Sequence, residues 1–369
     1  MSELISTRDS SIIRWKLLTG VSALALAAHI SNSTPANAED ANRPALWIEL
    51  GGQFNFLNDS SETWVPANLP PVIDHPVAGI LSQNPRIGYD LDGKLTFQPP
   101  NTDWAFSAAI RYGKAKRGPK AAHDQTYETQ ASQAKYRLTT YAFTNLHSVE
   151  ETTHFILDFQ AGKDVGLGFF GGHGSSTVNF GVRLAQFRES AKSQMTAQTN
   201  VPHSYDRGTL LDAYMDAARS FRGIGPLVTW NSSVPVVGSL EDGLTFDWGI
   251  DAAVLFGRQK AKVRTHTKNG YYDGSYTLTY PPSGGYVVHY NTAVRTQSTR
   301  PSMRTRSVIV PNVGAFAGIS YRVGGRGKIS LGYRADFFFG AMDGGIDTRK
   351  SEDIGFHGPF ATISLGLGG

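Results

Sequence analysis

The chain has 369 residues, no cysteine, 18 % charged residues and a formal net charge of +4. The missing cysteine excludes disulfides and thiolate metal sites, and the charge is too mild for a nucleic-acid binder. After the first forty residues no stretch approaches the roughly 18 consecutive apolar residues of a membrane helix. Glycine, at 40 of 369 residues, exceeds its usual share of about 7 %. Much of it lies inside strand-like stretches, where a small soluble core would lose packing.

The N-terminus reads as an export signal. Arg8, Arg14 and Lys16 precede the apolar run Leu17–Ile30, and Ala36-Asn37-Ala38 supplies a small-x-small cleavage site. Residues 1–38 are therefore expected to be a cleaved signal peptide and 39–369 the folded domain. The leader holds three basic and two acidic residues, which leaves +3 for the rest.

Downstream, segments with alternating faces recur, as side chains along a strand must. LWIELGGQFNF sets Leu46, Ile48, Leu50, Phe54 and Phe56 against Glu49 and Gln53. RIGYDLDGKLTFQ sets Ile87, Tyr89, Leu91 and Leu95 against Arg86, Asp90, Asp92 and Lys94. WAFSAAIRYG opposes Trp104, Phe106, Ile110 and Tyr112 to Arg111, and HFILDFQA opposes Phe155, Leu157 and Phe159 to His154 and Asp158. TVNFGVRLA carries Arg183 opposite Val182 and Leu184; LTFDWGIDAAVLFG carries Asp247 and Asp251 opposite Phe246, Trp248 and Ile250. VGAFAGISYRV places Arg322 opposite Ile319 and Tyr321. KISLGYRADFFFGA places Arg334 and Asp336 opposite Ile329, Leu331, Tyr333, Phe337 and Phe339, and FATISLGLG closes the series. FRGIGPLVTW, with Ile224 and Val228 out of phase, is the weakest of the set.

Each segment is about 9–12 residues, the length of a tilted outer-membrane strand. Short and long connections alternate; the long ones are 57–85, 115–152, 189–218, 257–307 and 341–355. Outer-membrane barrels alternate in this way, with short periplasmic turns and long extracellular loops. A soluble sandwich has no reason to gather its long loops at one end. The pattern predicts an all-β antiparallel transmembrane barrel of about ten strands, its apolar face to lipid and its charges to the lumen. Twelve strands result if YYDGSYTLTY and GYVVHYNTAV, which flank PPSG like a hairpin, join the ring. Their Tyr, Thr and Ser content favours an extension above the membrane instead. In loop 189–218, Leu210, Tyr214, Ala217 and Phe221 recur at helical spacing after Thr209, predicting a short surface helix.

Motifs for chemistry are weak. GLGFFG (166–171) matches the dinucleotide glycine pattern but is followed by a strand, so it reads as a turn. His203, Ser204 and Asp206 are neighbours in one loop rather than a scaffolded triad, and no spacing favours His289 or His357. Asp343, Asp347 and Asp353 lack calcium-loop spacing and read as a solvated loop tip. No catalytic residue, metal site or cofactor is assigned, and no enzyme is expected.

Charge is unevenly spread. Arg258, Lys260, Lys262, Arg264, Lys268, Arg295, Arg300, Arg304 and Arg306 face a single acid, Asp273, a local charge of +8. That surplus predicts a basic outer loop that holds anionic lipopolysaccharide or biases a pore toward anions. HFILDFQAGKDVGLG, SFRGIGPLVTWNSSVP, DWGIDAAVLFGRQ, GYRADFFFGAMDGGID and the closing GPFATISLGLGG resemble the Legionella-type major outer membrane protein family. The resemblance covers the strands and inner turns from 154 onward and implies a pore-forming outer-membrane barrel without cofactor. The reading that follows is a narrow porin-like pore for small solutes or ions. Its alternative is a non-conducting barrel acting through its outer loops as adhesin, receptor or structural protein. Expected partners are outer-membrane lipid, lipopolysaccharide and small solutes, with no nucleic acid.

Overall fold

An alternating strand exposes unpaired backbone groups along both edges, and in lipid these must be paired with another strand. In the computed structural model every strand of the ring finds both partners. The structure describes residues 46–59, 86–100, 102, 104–131, 137–165, 174–200, 210–240, 242–280, 282, 284–285, 287–298, 302–344 and 351–367. The leader 1–38, GLGFFG and PHSYD lie outside the described residues.

The strands are β1 (Leu46–Asp59), β2 (Arg86–Phe97), β3 (Trp104–Ala131), β4 (Arg137–Asp164), β5 (Ser175–Asn200), β6 (Leu210–Gly238), β7 (Gly243–Thr279), β8 (Val287–Ser298), β9 (Ser302–Val323), β10 (Gly327–Asp343) and β11 (Ser351–Leu367). Their order is β6-β5-β4-β3-β2-β1-β11-β10-β9-β7-β8, and an additional β6–β7 pairing closes the circle. Strand β8 hangs off the outer part of β7 (Thr279↔Val287 to His266↔Ser298) and is outside the ring. The barrel is therefore antiparallel with ten strands, and the hairpin is an extension of its wall. The first and last strands of the ring, β1 and β11, meet with Leu46 paired to Leu367.

Outward faces are apolar. Leu50, Leu91, Phe180, Leu331 and Ile363 are each more than half exposed, the inverse of a soluble protein. At the short-turn end Trp230 and Trp248 meet edge to face at 5.3 Å, and Trp230 Nε1 donates to Ser176 Oγ at 2.7 Å. Such a ring-plus-donor pair suits the membrane interface. At this end Ser239 N–H bonds Asp242 O (2.9 Å) in the β6–β7 turn, between Gly238 and Gly243 at φ 86° and 143°.

Three expectations are corrected. Most of the length assigned to long loops is strand, because the wall continues well beyond the apolar band; β7 alone has 37 residues. The helix expected over 209–221 is instead the start of β6, where Ala213, Met215, Ala217, Arg219 and Phe221 are all buried with period two. And 257–307 is not one loop: 258–268 lies on β7, and Arg304 and Arg306 lie on β9.

Closure through β6–β7 gives every strand of the ten-strand ring two neighbours, so the ring cannot melt from a free edge strand. The unboiled protein in SDS should migrate apart from the boiled form, with a strand-type circular dichroism spectrum. A helical spectrum, or identical mobility, would contradict this fold.

Candidate functional site

Eight strands enclose just enough room for side chains and 16–18 enclose a water channel, so ten strands are near the filled limit. Inward side chains here fill the space in layers. Nearest the short turns, Asp247 accepts from Ser233 Oγ (2.6 Å), Thr245 Oγ1 (3.0 Å) and Ser320 Oγ (2.6 Å), and pairs with Lys328 Nζ at 2.6 Å. Arg322 donates to Leu240 O and Ser233 Oγ, and Glu49 accepts from Ser364 Oγ (3.0 Å). Lys94 stands opposite Glu49 across β1 and β2.

A second layer crosses mid-barrel. Arg183 grips Asp158 with two bonds of 2.8 Å and reaches Asp251 at 2.6 Å and Asn312. Arg111 bonds Asp336 (2.5 Å) and pairs with Asp92 (3.3 Å), which also takes Arg334 Nη1 at 2.9 Å. Asp90 accepts from Asn55 Nδ2 (2.8 Å) and lies 3.0 Å from His154 Nε2. Gln53 Nε2 donates to Arg334 O. Glycine makes room for this density: a Cβ on Gly113 would overlap the Asp90 carboxylate and the His154 ring, and one on Gly314 would overlap Asp251 and Asp336.

Above the second layer is an apolar plug. Phe187, Phe221, Phe338 and Phe356, from four different strands, are 0–1 % exposed. Phe187 packs on Phe338 (4.6 Å), Phe356 (5.6 Å) and Phe221 (5.8 Å), and Phe356 covers the His154 ring at 4.0 Å. Leu57, Ile156, Leu255, Val310, Met342 and Ile354 are among the other members of the cluster, as is Ala253. A bulge between Phe338 and Met342, made by Gly340 at φ 66°, turns Ala341, Met342 and Asp343 all inward. Only a residue without Cβ adopts that dihedral freely.

A third ionic layer caps the plug. Arg86, 1 % exposed, donates to Glu150 (3.1 Å), Thr152 (2.5 Å) and Glu189 (2.7 Å). Glu189 also takes Arg219 (2.7 Å), which bonds Glu352 and Asp343 O; Arg304 clasps the Asp343 carboxylate.

Of the thirteen residues named for the lumen, Asp90, Asp92, Arg111, Asp158, Arg183, Asp247, Asp251, Arg334 and Asp336 are brought together in ion pairs. Gln53, Glu49 and Arg322 make the hydrogen bonds above, and Lys94 stands in register with Glu49. The basic group divides. Arg258, Lys260, Lys262, Arg264 and Lys268 are exposed and share parity on β7 with outward Val254 and Phe256. Arg304 and Arg306 turn inward instead, toward Asp343 and Gln259, because they share parity with Val308 and Val310 on β9. Asp343, expected at a solvated loop tip, is 1 % exposed; Asp353 remains exposed and accepts from Gly340 N, and Asp347 lies outside the described residues. His357 faces out, against Tyr333 Oη at 2.6 Å. Glu150, Glu189, Arg219, Glu352 and the phenylalanine plug were not anticipated. Phe338 carried a signal, since three consecutive phenylalanines cannot share one face.

No known family profile and no curated protein matches the sequence. Among solved structures, the TodX monoaromatic hydrocarbon channel deltaS2 mutant is similar at 10 % identity, covering 91 % of this chain and 93 % of its own, with TM-score 0.24. The transport unit of the autotransporter AIDA-I from Escherichia coli is similar at 8 % identity over 94 % and 97 %, TM-score 0.24. The Pseudomonas putida toluene transporter TodX is similar at 9 % over 91 % and 95 %, TM-score 0.20. At these scores the likeness carries no argument about function, and the barrel stands on its own pairing.

Glu189 neutralises two buried guanidiniums, whereas Glu151 pairs with Lys114 (2.6 Å) and Lys116 (3.2 Å) at 34 % exposure. Glu189→Ala should cost about 3–5 kcal/mol, since it strands buried charge; Glu151→Ala should cost about 0–1 kcal/mol. The temperature at which the SDS-resistant band unfolds measures both, and equal shifts would show the lumen to be wet.

Proposed function

We propose that this chain is an outer-membrane barrel whose resting lumen is shut, so that it works through its outer wall and loops rather than as an open porin. The observation that carries the reading is the phenylalanine cluster: four rings fully buried across the lumen, with ion-pair layers on both sides. A solute would have to displace the rings and several buried ion pairs. Charges of both signs satisfy each other there, so little field is left to select a permeant ion.

The apolar exterior and the leader support export and residence in the outer membrane. Chemistry has little support: the His154–Asp90 pair is sealed beneath Phe356 and out of a substrate's reach. The second reading is a gated porin-like pore for small solutes or ions. It is favoured by the polar lining on either side of the plug and by the resemblance to a pore-forming family.

Planar-bilayer recording tests the reading. The wild type should give no steady single-channel current, while Phe187→Ser with Phe338→Ser should give measurable openings if its heat-modifiable band confirms folding. A steady ohmic current from the wild type would overturn the closed lumen in favour of the pore.

A further inference from the structure

The outer wall changes character across a single row of residues. On the outward faces of β5, β6, β7 and β9, Leu184, Ile224, Phe256 and Ile309 form one row by strand register. All four are apolar, and Ile224, Phe256 and Ile309 are 50–62 % exposed. The next row outward is Gln186, Arg222, Arg258 and Ser307. Above it comes Arg188, Ser220, Lys260 and Thr305, and then Ser190, Ala218, Lys262 and Met303.

These three rows contain no acid. Arg222 and Arg258 stand directly opposite each other, a like-charge cross-strand pair that is destabilising by itself. Arg222, Arg258, Lys260 and Lys262 are exposed and make no ion pair among the described residues. The contrast with the adjoining β3–β4 wall, where Glu151 stands opposite Ser190, is direct. There Lys114 and Lys116 flank Glu151 at 2.6 and 3.2 Å and are neutralised by the protein itself. Inside the barrel at the same height as Lys260 and Lys262, Arg219 is likewise fully matched by acids. Over these three rows the outward face of β6 and β7 offers its cations no protein anion; the first acid, Asp216, stands one row further out, opposite Arg264.

We propose that Arg222, Arg258, Lys260 and Lys262 form a binding site for the phosphate groups of an outer-leaflet glycolipid, lipopolysaccharide, held against the barrel wall. This rests on the membrane barrel, not on whether the lumen is shut. The row below is at hydrocarbon depth, so the two opposed guanidiniums sit where the first phosphates of a neighbouring lipid must lie. An anion between them removes their repulsion, and the planar forks of two arginines suit a shared phosphate. The lysines continue upward at about 6.6 Å per outward residue along the strand. That rise matches a lipid with several anions stacked above its acyl chains better than a single-phosphate headgroup. The apolar row Leu184, Ile224, Phe256 and Ile309 is then the acyl-chain contact.

The test uses the whole protein in neutral-lipid nanodiscs carrying trace purified lipopolysaccharide or trace phosphatidylglycerol. Retained lipid is quantified after a lipid-free wash, for wild type and for Arg222→Gln, Arg258→Gln, Lys260→Gln, Lys262→Gln combined. The account expects more than about a tenfold loss of retained lipopolysaccharide, a smaller loss of phosphatidylglycerol, and no displacement by millimolar inorganic phosphate. Lys114→Gln with Lys116→Gln should change nothing. Unchanged lipopolysaccharide retention, or equal loss of both lipids, would overturn the assignment. Gel heat-modifiability establishes that the variants fold. Bilayer conductance reports separately on the lumen, so failure of the closed-lumen reading leaves this result standing.

Discussion

A ring of ten strands leaves a lumen that its own inward side chains can fill, and this geometric limit governs the rest of the molecule. Once water is displaced, every inward charge must find an opposite charge or a hydrogen bond, because an unpaired ion there is too costly to keep. The outcome is visible in Arg183, which holds Asp158 by two bonds and Asp251 by a third, and in Arg86, buried among Glu150, Thr152 and Glu189. Glycines at positions such as Gly113 and Gly314 are part of the same solution, since their missing side chains are where neighbouring carboxylates sit.

The plug and the ionic layers depend on one another. Phe356 shields the His154–Asp90 pair from above, which strengthens it by lowering the local dielectric. The ion pairs in turn tie strands far apart in sequence: Arg111 to Asp336 and Arg219 to Glu352 span the interior rather than joining neighbours. Such cross-lumen ties stiffen the wall from within. The backbone ladder supplies circumferential strength, and the side chains supply the struts. A wall braced in this way can extend beyond the bilayer without collapsing, as β7 and its appended β8 do.

Much of this was legible from alternation alone. Ile329, Leu331 and Tyr333 face out while Arg334 and Asp336 face in, as their parity requires. Strand ends were not legible, because sequence stretches such as KRGPKAAHDQTYETQ carry no amphipathic contrast. The misread helix has a specific cause. Ala217 and Phe221 fit both the helical series with Leu210 and Tyr214 and the period-two series with Ala213, Met215 and Arg219. Only the second series is buried as a set, and strand pairing on both sides decided it. The plug escaped because apolar residues on the inward face break the polar-in expectation; Phe187, between Gln186 and Arg188, has the appearance of an isolated hydrophobe until its parity with Arg183 and Glu189 is followed. Arg304 and Arg306 were misplaced for the same reason, their parity on β9 being hidden by the assumption of a loop.

The absence of cysteine permits a direct measurement of whether water reaches mid-lumen. Ala253 is 5 % exposed, inward and part of the plug's apolar cluster, whereas Met303 is 73 % exposed on the outer wall. Each is replaced singly by cysteine and the folded protein is treated with a small charged thiol reagent. The filled lumen predicts rapid labelling of Met303→Cys and none of Ala253→Cys until the sample is boiled. Labelling of Ala253→Cys in the unboiled barrel at a rate like that of Met303→Cys would contradict it.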